Sequence, residues 1–403
     1  MDTVLFNLHD VVLLITVFLC VFFSFFLFVI KRDALLSNLL LVGFLSCHAM
    51  IALAILTTFG AEFRNWAVNA LPHTFFLFEL GYWLEGPMLL WYTRSILYKG
   101  FRLKLYDLAY LIPFFIFVFD QILRYYSVPE ADRMKLIADQ TLYARSGGII
   151  ALTMMREISR VLFGIWCLLE LERHKSLIHQ NYSNIDTINF NWLTFLVSGF
   201  LCIRIWSLIV VTSVDVSIKF DWAINFTVMG LIGNYSVMFL IATSIVLCAR
   251  YANEIKGVDR NSLTDPNNVL TQVDEKQAWK IEKLFKEDKI YLNTGLTLSD
   301  LSNAAGISVR SVSTILNQYF KKRFFEFVND YRIEEAKTLL RSNTHSHKSI
   351  MDIMYESGFN NKATFNLMFK KSTGVTPREY RKGKTAKKEF LKSGRWRPLE
   401  SVE

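Results

Sequence analysis

Near its C-terminal end the chain places hydrogen-bonding side chains at the start of a short predicted helix, directly after a turn. Gly306 supplies the turn and Ser308 caps the helix that follows, whose apolar residues recur at helical spacing. The side chains left outward are Arg310, Ser313, Thr314 and Asn317. Groups of this kind can meet base edges in the major groove of DNA. The pattern over 297–318 therefore predicts a helix-turn-helix unit whose second helix is a recognition helix.

A second segment repeats this layout farther along the chain. Ser357, Gly358 and Phe359 form its turn, and the helix that follows again has an apolar and a polar face. The outward side chains are Lys362, Asn366 and Lys370. The pattern predicts a second helix-turn-helix unit over 349–371. A predicted helix at 324–342 links the two units, so that both recognition helices can enter successive major grooves.

The C-terminal part of the chain is also basic. Residues 251–403 hold 27 Lys and Arg against 19 Asp and Glu, and so carry most of the net charge of +9. This asymmetry indicates an anionic partner, either nucleic acid or lipid headgroups. The cations expected to neutralise DNA phosphates are Lys321, Lys322, Arg323, Lys370, Lys371, Arg378 and Arg381. Residues 384–403 lack an apolar period, and we expect them to be disordered and to bind DNA or anionic lipid.

Residues 1–250 consist mainly of apolar runs long enough for a membrane span, which needs about 20 residues. The runs lie at 8–30, 34–59, 71–98, 105–122, 147–170, 190–213 and 222–249. Lys and Arg are enriched in alternate loops, for example at Lys31, Arg32 and Arg250. By the positive-inside rule, the sequence predicts seven spans with the N-terminus outside and the C-terminal domain in the cytosol.

Ionisable side chains interrupt several of these apolar runs. The group consists of Glu79, Glu85, Arg156, Arg160 and Arg204. Glu79, Arg156 and Arg204 fall at a similar depth when residues are counted from the outer end of each run, at 1.5 Å per residue. Charges at such a depth pair with one another or line a cavity. Two interpretations remain open: a pocket for a charged or polar ligand that opens to the outside, or internal salt bridges that fix the register of the helices.

Other function classes find less support in the residues. All five cysteines lie in apolar runs, and the seven histidines are scattered without a metal-ligand pair inside a span. There is no nucleophile motif or phosphate-binding loop, so we expect no enzyme, no metal and no cofactor. A transporter or membrane receptor with a regulatory DNA-binding tail is the alternative, because buried charges also mark substrate paths. Against a transporter, the two halves of the membrane part show no internal repeat.

Residues 272–382 resemble the DNA-binding domain of the AraC/XylS family of bacterial transcription regulators. The motifs that match are Asp330–Lys337, Ser357–Phe359, Phe365-Asn366, Phe369–Lys371 and Thr373–Arg381. The resemblance implies an activator or repressor that binds promoter DNA. The base contacts that it implies are made by Arg310, Ser313 and Thr314 in the first unit and by Asn361, Lys362 and Asn366 in the second.

The N-terminal part is similar to the multi-pass membrane domain attached to some members of that family. The match rests on Glu85–Tyr92 and Ile112–Phe114. It implies residence in the bacterial cytoplasmic (inner) membrane and a sensing role for the bundle.

Three departures from the family pattern qualify the C-terminal match. Phe320–Arg323 stand where the family usually has a glycine, so we expect a differently shaped turn there. Met354 replaces a small residue, which predicts shifted packing in the second unit. Leu367 occupies a position that is often polar, which predicts one fewer polar contact to DNA.

Together these patterns predict an all-α protein. It consists of a seven-helix transmembrane bundle (1–250), a linker (251–270), a cytosolic AraC-type domain with two helix-turn-helix units (271–383) and a basic tail (384–403). The expected partners are double-stranded promoter DNA and the lipid bilayer. RNA polymerase, a small-molecule or envelope signal and a second copy of the chain are further candidates.

Overall fold

The computed structural model divides the chain into two compact units, each built of helices. Unit 1 comprises Met1–His174 and Ile188–Arg260, and unit 2 comprises Lys175–Thr187 and Asn261–Glu403. The structure describes residues 7–30, 35–70, 76–129, 132–133, 135, 137, 147–183, 191–220, 222, 226–251, 258–259, 275–345 and 347–383. The short segment Lys175–Thr187 thus belongs with the C-terminal part of the chain, although it lies between two apolar runs in the sequence.

Most of the helices that the structure describes in unit 1 are long and apolar. They are α1 (Leu8–Ile30), α2 (Leu35–Phe59), α3 (Ala61–Ala70), α4 (Leu80–Leu97), α5 (Ile112–Gln121), α6 (Gly147–Asn181, whose last seven residues belong to unit 2), α7 (Asn191–Phe220) and α8 (Phe226–Tyr251). A 3-10 turn, Leu77–Glu79, precedes α4. Strand β1 (Tyr98–Lys99) pairs in parallel with β2 (Val258–Asp259), so the chain after α8 is hydrogen-bonded to the chain after α4.

Five segments in the described part of the chain are long and apolar enough to cross a bilayer, not the seven that we predicted. They are Leu8–Leu27, Leu35–Phe59, Leu105–Tyr126, Asn191–Ser217 and Val228–Leu247. The predicted runs 71–98 and 147–170 do not qualify. Both runs are less apolar than the five: α4 holds Glu85 and Arg94 together with glycine, proline and aromatic residues, and α6 holds Arg156, Glu157 and Arg160.

Leu105–Tyr126 is not a single α-helix. It begins with a 3-10 segment, Leu105–Leu111, continues as α5 and ends in a π-helical turn, Ile122–Tyr126. Pro113 at the start of α5 explains the first change, because proline is tolerated in the first turn of an α-helix but not in its interior.

Among its described residues, unit 2 contains seven further α-helices. They are α9 (Glu275–Lys286), α10 (Leu298–Ala305), α11 (Val309–Gln318), α12 (Phe324–Arg341), α13 (Ile350–Glu356), α14 (Lys362–Thr373) and α15 (Pro377–Arg381). The predicted first helix-turn-helix unit corresponds to α10 and α11, the predicted linking helix to α12, and the predicted second unit to α13 and α14. Of the predicted linker, the structure describes Tyr251 and Val258–Asp259, and the predicted tail lies outside the described residues.

The linking helix α12 contributes to two separate hydrophobic cores. Phe324, Phe327 and Val328 are buried in the core that holds the first helix-turn-helix unit. Ile333 and Leu340 are buried in the core of the second unit. Because one rigid helix enters both cores, it fixes the two helix-turn-helix units relative to each other.

Candidate functional site

The first helix-turn-helix unit is defined by two caps and a glycine. Thr297 accepts a hydrogen bond from the Asp300 amide at 3.1 Å and so begins α10. Gly306 ends that helix with φ of +65°, a left-handed conformation that glycine adopts without steric cost. Ser308 then accepts from the Ser311 amide at 3.1 Å and begins α11. These local signals turn the chain so that α11 follows α10 at once.

The predicted base-contacting residues of the first unit lie on the outer face of α11. Val312, Ile315 and Leu316 are buried in the core, which fixes the face that remains outside. Arg310 is exposed, whereas Ser313 and Thr314 are half-buried. The structure therefore gives Arg310 the greatest reach of the three.

The second unit uses the same kinds of cap. Ser349 accepts from the Asp352 amide at 3.1 Å at the start of α13, and Gly358 forms the turn with φ of +88°. Hydrogen bonds to Ser349 lower the pKa of the Asp352 carboxyl. Asn361 begins α14, and its Oδ1 accepts from the amides of Ala363 and Thr364 at 2.7 and 3.1 Å. The side-chain oxygen of Asn361, which we expected to contact bases, is thus used to cap the helix.

The exposed face of α14 is mixed in character. Lys362 is exposed and Asn366 is half-buried, and Lys370 and Lys371 continue the exposed face toward the end of the helix. Leu367 is 69% exposed on this same face, so an apolar side chain stands among the polar ones. Apolar groups in such a position can contact the methyl group of thymine.

The seven predicted phosphate-contacting cations fall into two groups. The exposed ones are Lys321, Arg323, Lys370, Lys371 and Arg378. Lys322 instead forms an ion pair of 2.5 Å with Asp330. Arg381 donates from Nη1 to the Lys348 carbonyl at 2.8 Å. Lys322 and Arg381 are therefore engaged within the domain itself.

The turn before the linking helix keeps the backbone geometry of a glycine turn. Lys321 has a φ of +54°, in the left-handed region. The side chain thus adopts a conformation that glycine would take more easily, and it stands exposed. The departure from the family pattern changes the residue here rather than the sense of the turn.

Arg332, for which the sequence predicted no role, contacts several separate parts of unit 2. Its guanidinium donates to the carbonyls of Tyr291 and Asn293, both at 2.7 Å, and to Asn329 Oδ1 at 3.2 Å. It is 1% exposed, and burial lowers its pKa to about 10, so it remains a cation at neutral pH. Its spacing is a signal, because Arg332 lies four residues after Val328 and four before Ala336, on the buried face of α12.

Gly358 brings the second unit against the same arginine. A Cβ at this position would lie 2.7 Å from the Tyr291 carbonyl oxygen and 3.1 Å from Arg332 Nε. The Arg332 guanidinium also lies 5.8 Å from the centre of the Phe359 ring. Arg332 therefore joins three parts: the turn before the first unit, the linking helix and the turn inside the second unit.

In unit 1, four of the five ionisable residues that we predicted to cluster belong to one network of ion pairs, with Glu85, Arg160 and Arg204 at its centre. Arg160 Nη2 lies 2.6 Å from Glu85 Oε2, and its Nη1 lies 2.8 Å from Glu157 Oε2. Arg204 Nη2 lies 3.4 Å from Glu85 Oε1, and His48 Nε2 lies 3.1 Å from the same oxygen. Glu85 is thus the common partner of two arginines and a histidine. All of these side chains are almost entirely buried.

Arg156 joins this network at its edge, and Glu79 interacts electrostatically with Arg156. Arg156 pairs with Glu157 at 2.9 Å and lies 4.1 Å from the centre of the Tyr82 ring. Glu79 is half-buried at the end of its 3-10 turn, and Arg204 pairs with Glu85 rather than with Glu79. The shared level of Glu79, Arg156 and Arg204 does not become a ring of mutual contacts.

The ion pairs favour internal salt bridges over a ligand pocket at these charges. A cavity beside His48 is lined mainly by apolar side chains, among them Phe44 and Leu196. A Cβ on Gly86 would lie 2.5 Å from the Phe163 ring, so α4 and α6 approach closely next to Glu85. The close approach explains why the carboxylate and Arg160 can meet.

Comparison with known proteins identifies the C-terminal domain. A family model described as a helix-turn-helix domain matches residues 301–383. An uncharacterized HTH-type transcriptional regulator of Staphylococcus aureus strain COL is 32% identical over 102 residues, which are 25% of this chain and 13% of that protein. The HTH-type regulator YdeC of Bacillus subtilis strain 168 is 28% identical over 87 residues, which are 22% of this chain and 29% of that protein. No solved structure matches the chain.

These matches confirm an AraC-type helix-turn-helix domain at the C-terminal end. The chain spans about an eighth (13%) of the length of the staphylococcal relative. The similarity is therefore confined to one part of each protein. Both relatives are named as transcriptional regulators rather than enzymes, in agreement with the expectation that the chain is not an enzyme.

Proposed function

We propose that this protein is a membrane-bound transcription regulator that binds promoter DNA in a sequence-specific way and responds to a signal through its transmembrane bundle. The observation that carries this proposal is the pair of helix-turn-helix units on one linking helix, in a chain that also holds five apolar helices of membrane length. The partners that we propose are double-stranded promoter DNA and the lipid bilayer. Further proposed partners are RNA polymerase, a second copy of the chain and the signal.

DNA binding is assigned to the exposed faces of α11 and α14. Arg310 and Lys362 are exposed near the starts of these two helices, where a recognition helix meets base edges. Each base contact contributes about 1–3 kcal/mol of discrimination, so Arg310→Ala combined with Lys362→Ala should weaken specific binding by at least about thirtyfold.

The test uses the full chain in lipid nanodiscs and genomic fragments that the wild-type protein selects. Lys280→Ala, which removes an exposed cation from α9, is the matched control and should leave affinity for the selected fragments nearly unchanged. Equal affinity of the double variant and the wild type for these fragments would refute the assignment of the two helices.

For the membrane part, we propose that the five apolar segments form the bundle together with α4 and α6. The support is that the ionisable residues of α4 and α6 are paired with each other, since Glu85 and Arg160 satisfy one another inside unit 1. The loop charges support an outside N-terminus and a cytosolic C-terminus.

Reporter fusions test this topology. Green fluorescent protein fused after Glu403 should fluoresce, and alkaline phosphatase at the same position should be inactive. An active phosphatase there would place the DNA-binding end outside and end the proposal.

The buried network around Glu85 is our candidate for the element that a signal shifts. Its interactions depend on geometry, because each of its groups is buried and would be costly without a partner. Arg204→Ala should abolish the response of a mapped promoter to its inducing condition while DNA binding persists. A normal response from a correctly inserted variant would remove Arg204 from the sensing element.

A further inference from the structure

A short segment between two apolar runs of the sequence packs into the DNA-binding unit. This segment, Lys175–Ser183, comprises the last turns of α6 and the two residues after it, and it belongs to unit 2. We call it the docking segment. Its residue Ser183 is 2% exposed, which is unusual for a serine in a loop.

Ser183 makes hydrogen bonds with the turn that precedes the first helix-turn-helix unit. Its amide donates to the Leu296 carbonyl at 3.2 Å, and its Oγ donates to the same oxygen at 2.6 Å. The neighbouring Tyr182 forms an antiparallel bridge with Thr297. Thr297 is the N-cap of α10, so the docking segment holds the point at which the first unit begins.

Ser183 also completes the coordination of Arg332. Arg332 donates from Nη1 to the Ser183 carbonyl at 3.3 Å and from Nη2 to its Oγ at 3.2 Å. Asn329 donates to the same carbonyl at 3.3 Å. A buried guanidinium needs acceptors for its donors, so loss of the segment would leave part of Arg332 without them.

An aromatic contact anchors the helical part of the segment. The His179 ring lies 5.0 Å from the Phe325 ring in a T-shaped arrangement. Burial of His179 lowers the pKa of its imidazole, with the positive charge of Arg323 acting in the same direction. A neutral ring therefore packs on α12 at neutral pH, next to the turn that leads into the linking helix.

We infer that the docking segment is the coupling element of this protein: when docked through Ser183, it braces the turn at 291–297 and holds the first helix-turn-helix unit in its DNA-competent position. This inference rests on the proposed function. The helix α6 that ends in the segment also carries Arg160 of the buried network, so a shift of that helix reaches Ser183 along continuous backbone. Undocking frees the turn, and the first unit then has to be ordered during DNA binding.

Two substitutions of Ser183 that introduce opposite charges distinguish this role from simple packing. Ser183→Asp places a carboxylate beside the Arg332 guanidinium, whereas Ser183→Lys places a cation there and repels it. Ser183→Thr keeps the hydroxyl, and Thr338→Lys adds the same charge at an exposed position of α12 as a control. Packing alone would make the Asp and Lys variants equally harmful.

The experiment compares these full-length variants in neutral-lipid nanodiscs by hydrogen exchange and by affinity for the selected fragments. Ser183→Lys should speed exchange over 291–301 by at least about tenfold and weaken DNA binding by a similar factor, since bonds to a buried charged group are lost. Ser183→Thr, which keeps the hydroxyl, should stay within about threefold of the wild type in both readouts. Ser183→Asp loses the hydrogen bond to the Leu296 carbonyl but keeps an acceptor for Arg332, so it should lose clearly less than Ser183→Lys in both readouts.

Three results would overturn the inference. One is unchanged exchange in Ser183→Lys, which would mean that the segment does not dock. Another is an equal loss in the Asp and Lys variants, which packing alone would produce. The third is DNA binding that Ser183→Lys leaves unchanged or tightens. If the wild type itself binds no DNA, the proposed function fails, while the exchange comparison still decides whether Ser183 is docked.

Discussion

Salt dependence offers a quantitative test of which cations meet the DNA backbone. The sequence presents seven candidates around the recognition helices, but the structure leaves five exposed and engages Lys322 and Arg381 within the domain. Each neutralised phosphate contributes a slope of about −0.9 to the plot of log binding constant against log salt concentration. Five contacts therefore predict a slope of about −4.5, and seven predict about −6.3.

The difference between these slopes is large enough to measure. Between 50 and 200 mM monovalent salt, five contacts predict an affinity loss of about 500-fold and seven predict about 6,000-fold. The assay is fluorescence anisotropy with a labelled fragment and the full chain in neutral-lipid nanodiscs, so that lipid charge does not compete for the cations.

Two single variants make the test residue-specific. Lys370→Ala removes an exposed cation from α14 and should flatten the slope by about 0.9. Lys322→Ala removes a cation that is paired with Asp330 and should leave the slope unchanged, with little effect on folding because such pairs contribute about 0–1 kcal/mol. Equal flattening by both variants would refute the division into exposed and engaged cations.

Three further predictions concern the stability of unit 1 and of unit 2. Gly358→Ala should destabilise the C-terminal domain by at least about 2 kcal/mol in a urea titration followed by hydrogen exchange, because the added methyl meets the Tyr291 carbonyl and the residue has a left-handed backbone; an unchanged midpoint would contradict this. Arg160→Met should lower the thermal unfolding midpoint in detergent and cost about 3–5 kcal/mol, because the buried carboxylates Glu85 and Glu157 both lose an arginine partner, and Glu85→Gln in the same chain should recover part of the loss. The depressed pKa of Asp352 adds stability above the unfolded carboxyl pKa of about 3.9, which is lost as pH falls through the lower folded value; Asp352→Asn should remove this dependence, and an identical pH profile would exclude it.

The helices of the C-terminal domain could be predicted from the sequence because their boundaries are encoded locally. Thr297 and Ser308 cap their helices, and Gly306 ends one of them with a left-handed backbone. Apolar residues at helical spacing then fix which face is buried. Residues of this kind act over three or four positions, so the sequence alone is sufficient to place them.

Contacts between distant segments could not be predicted in the same way. Ser183 and Arg332 are separated by 149 positions, and nothing local to Ser183 indicates a buried guanidinium as its neighbour. Asn361 had the residue type and position of a base-contacting side chain, but the need to cap α14 uses its oxygen. In each case a backbone or charged group elsewhere in the fold decides the role of the side chain.

The apolar helices of unit 1 show a different limit. Length and hydropathy recognise five segments, but the charges in α4 and α6 lower the apolar character of those helices. The same charges turn out to pair with one another, as Glu85 and Arg160 do. Pairing is a property of the packed bundle, so the composition of one helix cannot reveal it.

We propose that a chain with membrane-length helices binds DNA through two recognition helices that one linking helix holds in place. The most direct measurement is a hydroxyl-radical footprint of the full protein in nanodiscs on the genomic fragments that it selects. We expect two protected segments whose centres lie about 10–10.5 base pairs apart, which is one helical turn of DNA. A single protected segment, or no protection at all, would contradict it.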